Sequence, residues 1–200
     1  MTRLFAGLIT LALALLAVPH AQAAGDTLHL DSAKVTLNGT SNVHPYEATT
    51  TAVTVTKVKV SPAVAGDVDG LAAAGVIEAF DIAIPVKTLT SPKDGLDKNM
   101  HKALKADKFA DITFCLTRLE RGTAPGAFRG VGKLTIAGVE KEVTLDLTVQ
   151  RAGASLTVKG ELALLMTDYG ITPPKAMLGT LKTDPKVTIA FETVLSVPVA

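Results

Sequence analysis

The side chains in this sequence that could do chemistry are few, and their spacing decides what that chemistry would be. Past the first 23 residues the histidines are His29, His44 and His101. They lie in three separate segments with no H-x-H or H-E-x-x-H spacing, so a metal site would have to assemble in space. Cys115 is the single cysteine, which excludes a disulfide framework and a zinc cluster. A nucleophilic thiol needs an adjacent base, and no local partner is present. In an oxidising compartment an odd thiol can instead pair between chains, giving a homodimer. The acidic residues are scattered, with no calcium loop. No G-x-S-x-G or P-loop occurs, and Gly130-Val131-Gly132 lies within a strand-like run rather than before a helix. The expectation is no enzyme, no metal and no cofactor. A hydrolase or isomerase using His44 or His101 stands as a third reading. Lys+Arg 20 against Asp+Glu 19 provides no electrostatic footprint for nucleic acid.

The amino terminus reads as a secretory leader. Arg3 supplies a positive start, Leu4 to Val18 is uncharged and apolar, Pro19 breaks the run, and Ala21-Gln22-Ala23 fits a small-x-small cleavage site. The run is short for a permanent membrane span. The expected organisation is therefore a signal peptide over 1–23 and one domain over 24–200, exported to a bacterial periplasm and not membrane-spanning when mature. An outer-membrane barrel would need aromatic girdles, and this chain has no Trp.

The rest of the chain reads as strands. Val, Ile and Thr make up 49 of the 177 residues from 24 to 200. Apolar residues alternate with polar ones in several runs: Phe80, Ile82, Ile84; Ile112, Phe114, Leu116; Val143, Leu145, Leu147, Val149; Leu156, Val158, Leu162, Leu164; and Val187, Ile189, Phe191. One greasy and one wet face mark antiparallel strands. Short turns at Gly122–Gly126, Ala137-Gly138 and Ala152-Gly153 join neighbours into a meander. Between Thr49 and Val60 the apolar phase slips from Val53 and Val55 to Val58 and Val60, predicting a bulge or strong bend.

Two segments differ. Ser91-Pro92-Lys93-Asp94 resembles a capped helix start, though Gly95 weakens it and allows a beginning near Leu96, and Leu96, Met100, Ala103 and Leu104 then share one helical face. Such a helix would lie across a barrel end as a plug. Thr167 to Pro185, rich in Pro and Gly, reads as a long irregular connector and a lid. Seven to nine strands with one short helix predict an all-β fold: a closed, extended antiparallel barrel of about eight strands with a short helical insertion. A barrel of that size is either filled by its own side chains or holds one small ligand. Seven aromatics after residue 23 are few for filling it.

The sequence also resembles one branch of the YceI-like family. The resemblance is carried by Gly39-Thr40-Ser41-Asn42-Val43-His44, by Asp97 to Lys105, by Gly132 to Val143 in the form G-x-L-T-I-x-G-V-x-K-x-V, and by Met166 to Ile171 with Pro173-Pro174 and Met177-Leu178-Gly179. Two departures, Ala110-Asp111 for Tyr-Pro and Pro45-Tyr46 for Asp-Trp, mark a divergent branch. The resemblance implies a lipocalin-like barrel with a helical insertion, in a secreted or periplasmic protein whose interior can hold a long isoprenoid or similar lipid.

Together these observations predict a periplasmic carrier that sequesters a long-chain lipid or isoprenoid. Phe80, Ile82, Ile84, Phe114, Leu134, Leu145, Leu147, Leu162, Leu164, Ile189 and Phe191 are expected to line the tunnel, with His44 and His101 shaping its mouth. The alternative is a periplasmic stress or accessory structural protein whose barrel is filled by side chains and which acts through protein partners.

Overall fold

The computed structural model describes residues 28–176 and 180–197. The expected leader and the Met177-Leu178-Gly179 motif lie outside the described residues. Among the described residues there are ten strands: β1 (His29–Ser41), β2 (Pro45–Thr50), β3 (Thr54–Val60), β4 (Ile77–Pro85), β5 (Asp111–Arg121), β6 (Ala127–Ile136), β7 (Val139–Ala152), β8 (Ser155–Leu165), β9 (Lys175–Ala176) and β10 (Leu181–Ser196). One helix, α1 (Asp94–Ala103), follows β4.

All strand pairs are antiparallel, and they run in the order β2-β1-β10-β8-β7-β6-β5-β4-β3, with β9 paired to the start of β10. The sheet curls into a lipocalin-type barrel. Its closure differs from a continuous ladder. The two ends of the path, β2 and β3, are consecutive in the chain and separated only by residues 51–53. β2 bonds to β1, the chain bends, and β3 bonds to β4. One bent strand therefore joins both edges covalently. Reciprocal backbone bonds between Thr49 and Thr90, 2.8 and 3.0 Å, tie β2 to the segment beyond β4.

A bulge just after this bend is the physical cause of the phase slip in the sequence. The β3–β4 register shifts between Val55 and Lys57, so the bulge resets the side-chain parity. Val53 then faces the interior, while Val58 and Val60 pack on the core.

Turn chemistry fixes the hairpins. Ala137 and Gly138, with φ of 50° and 81°, make the two-residue connection between paired Ile136 and Val139. Positive φ at both positions is the type I′ signature, whose twist matches the strands. The Phe109 ring occupies the place of a side chain at Gly138. The β7–β8 turn lies one residue later than expected, at Gly153-Ala154, because Ala152 pairs with Ser155.

Helix α1 starts at Asp94, later than the Ser91-Pro92 signature suggested, and no side chain caps it at Lys93. The Ser91 hydroxyl donates to Asp97 Oδ1 at 2.7 Å and accepts from Lys93 N–H at 3.1 Å, so it is consumed in a turn before the helix. The expected connector from Thr167 to Pro185 is also more regular than read. It holds a 3-10 turn at Met166–Tyr169 and the β9–β10 pairing, and β10 already begins at Leu181.

Two buried clusters close the barrel ends. One gathers Met100 and Leu104 of α1 with Met166, Tyr169, Ile171 and Ile136. The other gathers Val64, Leu71 and Val76, from the stretch between β3 and β4, with Phe128, Leu156 and Leu195. Gly138→Ala, which needs a strained left-handed alanine and displaces Phe109, is expected to cost ~2 kcal/mol. A urea titration with an unchanged midpoint would refute that account of the turn.

Candidate functional site

Between the two clusters the barrel is hollow, with a cavity of about 320 Å³. Away from their bulges the strands that build it alternate, so each contributes every second side chain to the inner wall. All eleven apolar residues expected on that wall line the cavity: Phe80, Ile82 and Ile84 from β4, Phe114 from β5, Leu134 from β6, Leu145 and Leu147 from β7, Leu162 and Leu164 from β8, and Ile189 and Phe191 from β10. Nine of them, all but Ile84 and Leu145, remain only half-buried although they point inward. Water-sized space reaches them from within because neighbouring side chains leave the centre unfilled.

Glycines on the inner parity keep that space open. A Cβ at Gly160 would stand 2.5 Å from Phe191 Cζ, and one at Gly132 would stand 2.5 Å from Phe114 Cζ. Each ring therefore lies over the backbone of the adjacent strand and becomes part of the wall. Cross-strand cover of a glycine by an aromatic is a known stabiliser of sheets.

The polar lining is sparse. Tyr46, Asn99, Lys175 and Thr183 gather where α1, β2, β9 and the start of β10 meet, with Thr193 further along. Asn99 and Lys175 are exposed, so the cavity reaches solvent there. Burial, with Asp184 adding to it, pushes the Tyr46 phenol above its usual range and keeps it a neutral hydrogen-bonding group at this mouth.

Neither His44 nor His101 lines the cavity. His44 is exposed in the β1–β2 turn, where its N–H donates to Ser41 Oγ at 3.1 Å and its Nδ1 lies 3.0 Å from the Pro45 carbonyl. His101 Nε2 lies 2.8 Å from the Leu89 carbonyl and pins α1 to the segment after β4. The conspicuous residue of the first-strand motif is instead Asn42. Its Nδ2 donates to Thr180 O at 2.9 Å and its Oδ1 accepts from Lys182 N–H at 2.8 Å, clasping the rim of β10 to the β1–β2 turn. Among the described residues no group of three His, Cys, Asp or Glu side chains could hold a metal ion.

Cys115 faces outward, opposite Asp81 in the β4–β5 ladder. Burial pushes its thiol pKa up, and the Asp81 carboxylate beside it adds to the effect, so thiolate is scarce at neutral pH. Several lining residues carried weak sequence signals. Leu119 lines the wall because a bulge between Leu116 and Arg118 flips its parity. Leu71 sits in a 3-10 turn, where no strand period marks it. Val35 and Leu37 do alternate and were legible as strand residues.

A family model described as a YceI-like domain matches residues 29–195. No curated protein matches the chain. Among solved structures, Burkholderia cenocepacia BcnA is similar at 20% identity and a TM-score of 0.64, covering 81% of this chain and 95% of that one. A polyisoprenoid-binding domain from Saccharophagus degradans, implicated in plant cell wall breakdown, is similar at 15% identity and a TM-score of 0.63, covering 86% and 98%. A Campylobacter jejuni YceI protein is similar at 14% identity and a TM-score of 0.55, covering 94% and 97%. At these identities the likeness establishes the fold. No helix among the described residues is long and apolar enough to cross a membrane.

Two predictions test the wall. Gly160→Ala drives Phe191 off the strand and into the cavity, with an expected loss of about 1–3 kcal/mol, read from denaturant midpoints. For Cys115, Ellman's reagent at neutral pH should react more slowly than with a free thiol, and Asp81→Asn should speed it by lowering the thiol pKa. Equal rates in the two proteins would remove Asp81 from that role.

Proposed function

The chain belongs to the YceI-like family, and on that premise we propose that it is an exported periplasmic carrier that sequesters a long-chain apolar ligand, a polyisoprenoid or similar lipid. One observation carries this reading: a deep cavity, open at one mouth, walled by aliphatic and aromatic side chains and left unfilled by them. Apolar walls favour hydrocarbon by about 25 cal/mol per Å² of buried area, or ~0.8 kcal/mol per methylene. Ten methylenes would contribute roughly 8 kcal/mol before association costs, so micromolar binding calls for a longer buried chain. The wall lacks the polar groups that a sugar or nucleotide would need. The similarity to the Saccharophagus degradans polyisoprenoid-binding domain supports the same ligand class.

The polar cluster of Tyr46, Asn99, Lys175 and Thr183 would hold the headgroup at the mouth. The mechanism is sequestration without bond chemistry. The hollow interior weighs against an accessory protein with a filled barrel. The placement of His44 and His101 outside the cavity weighs against histidine catalysis.

Native mass spectrometry of gently purified protein is expected to reveal a one-to-one lipid adduct. Phe114→Arg places an unpaired charge on the wall, which is costly against hydrocarbon, and should abolish the adduct while the folded barrel persists by circular dichroism. Wild-type protein that never carries or takes up lipid would refute the carrier.

A further inference from the structure

We propose that Leu71 is the stop that sets how long an apolar chain the cavity accepts. The proposal rests on the reading of the cavity as a hydrocarbon site and adds a specificity determinant to it.

Residues 61–76 leave the sheet between β3 and β4 as a compact excursion, closed at its base where Ser61 N–H donates to Val76 O at 2.9 Å. It holds two 3-10 turns, Pro62–Ala65 and Val68–Ala72, with one buried side chain in each, Val64 and Leu71. Within this excursion Leu71 alone lines the cavity. Behind it Val64 is fully buried and packs in the same cluster as Phe128, Leu156 and Leu195.

The polar lining groups near α1 lie at the opposite end from Leu71. The polar lining side chain nearer the floor is Thr193, whose hydroxyl donates to Val158 O at 3.5 Å, so a ligand with a polar head is better matched at the α1 mouth, where four polar groups line the cavity. The tail tip then meets Leu71.

Floor and walls are held differently. Each wall strand is fixed by backbone ladders, which cannot yield without breaking hydrogen bonds. The floor is a loop held by side chains from two strand ends. Arg151, at the end of β7, donates from Nη2 to Val64 O at 2.6 Å, and Arg121, at the end of β5, forms an ion pair with Asp69. Arg151 accepts this position although its Nε is buried without a partner. Leu28, Val149, Leu156 and Leu195 also line this end, but they sit on or beside the laddered strands, so Leu71 on its strutted loop is the floor residue whose change alters length without disturbing the ladders.

The test is a binding titration of delipidated protein with straight-chain primary alcohols of stepwise length. In the wild type, affinity should rise about fourfold per methylene until the chain reaches the floor, then level off. Leu71→Ala removes three carbons from the floor and should move the break roughly three carbons longer. Leu71→Val, a milder change that keeps the floor packed, should move it by about one. A break that stays at the wild-type length in a folded Leu71→Ala or Leu71→Val protein would overturn the stop. Wild-type protein that binds none of the alcohols would instead overturn the carrier reading beneath it.

Discussion

The structure depends on a sheet that must stand around an empty centre. A side-chain core normally holds a small domain together, and dispersion is lost wherever a wall faces a void. Here the two packed clusters are confined to the barrel ends. The span between them is maintained by backbone hydrogen bonds along nine strands, with few side chains meeting across the middle. Closing such a sheet removes most of its exposed edges. The chain achieves this by bending one strand, so that β2 serves one edge and β3 the other.

That requirement accounts for features that otherwise look unrelated. The bulge in β3 keeps valines pointing inward on both sides of the bend. Inner glycines at 132 and 160 admit Phe114 and Phe191 against the strands, so that large residues thicken the wall without crossing the void. The outer face carries ion pairs such as Lys133–Glu140 at 2.9 Å and Lys159–Glu192 at 3.1 Å. They are exposed, and pairs of this kind contribute little to stability. They keep the outer wall wetted, while the hydrophobic stabilisation is concentrated at the two ends.

The same division separates fold from function. Family relatives of 14–20% identity keep the barrel, which shows how little of the sequence the architecture needs. The two ends of the barrel differ in content: Tyr46, Asn99 and Lys175 line one, Leu71 and its two arginine struts the other. Function is carried by such sites rather than by the scaffold. A guest bound only by the folded barrel would supply contacts that the empty centre forgoes and would thereby raise its stability.

Local grammar alone determined the strands and most of the wall. Alternation in runs such as Val187-Ile189-Phe191 requires a half-buried strand, and in a closed sheet every inward residue must face the same interior. The phase slip near Thr56 even located the bulge. Tertiary structure decided what periodicity cannot encode. Leu71 has no strand parity, Leu119 loses its parity at a bulge, and Asn42 acts on Lys182 across a distance in sequence that no local pattern spans. His44 and His101 stand out by residue type, yet their rings lie beside backbone carbonyls away from the void. Whether the centre is hollow was likewise undecided by composition, because vacancy depends on how facing side chains divide a shared volume, and that is set only when distant strands meet.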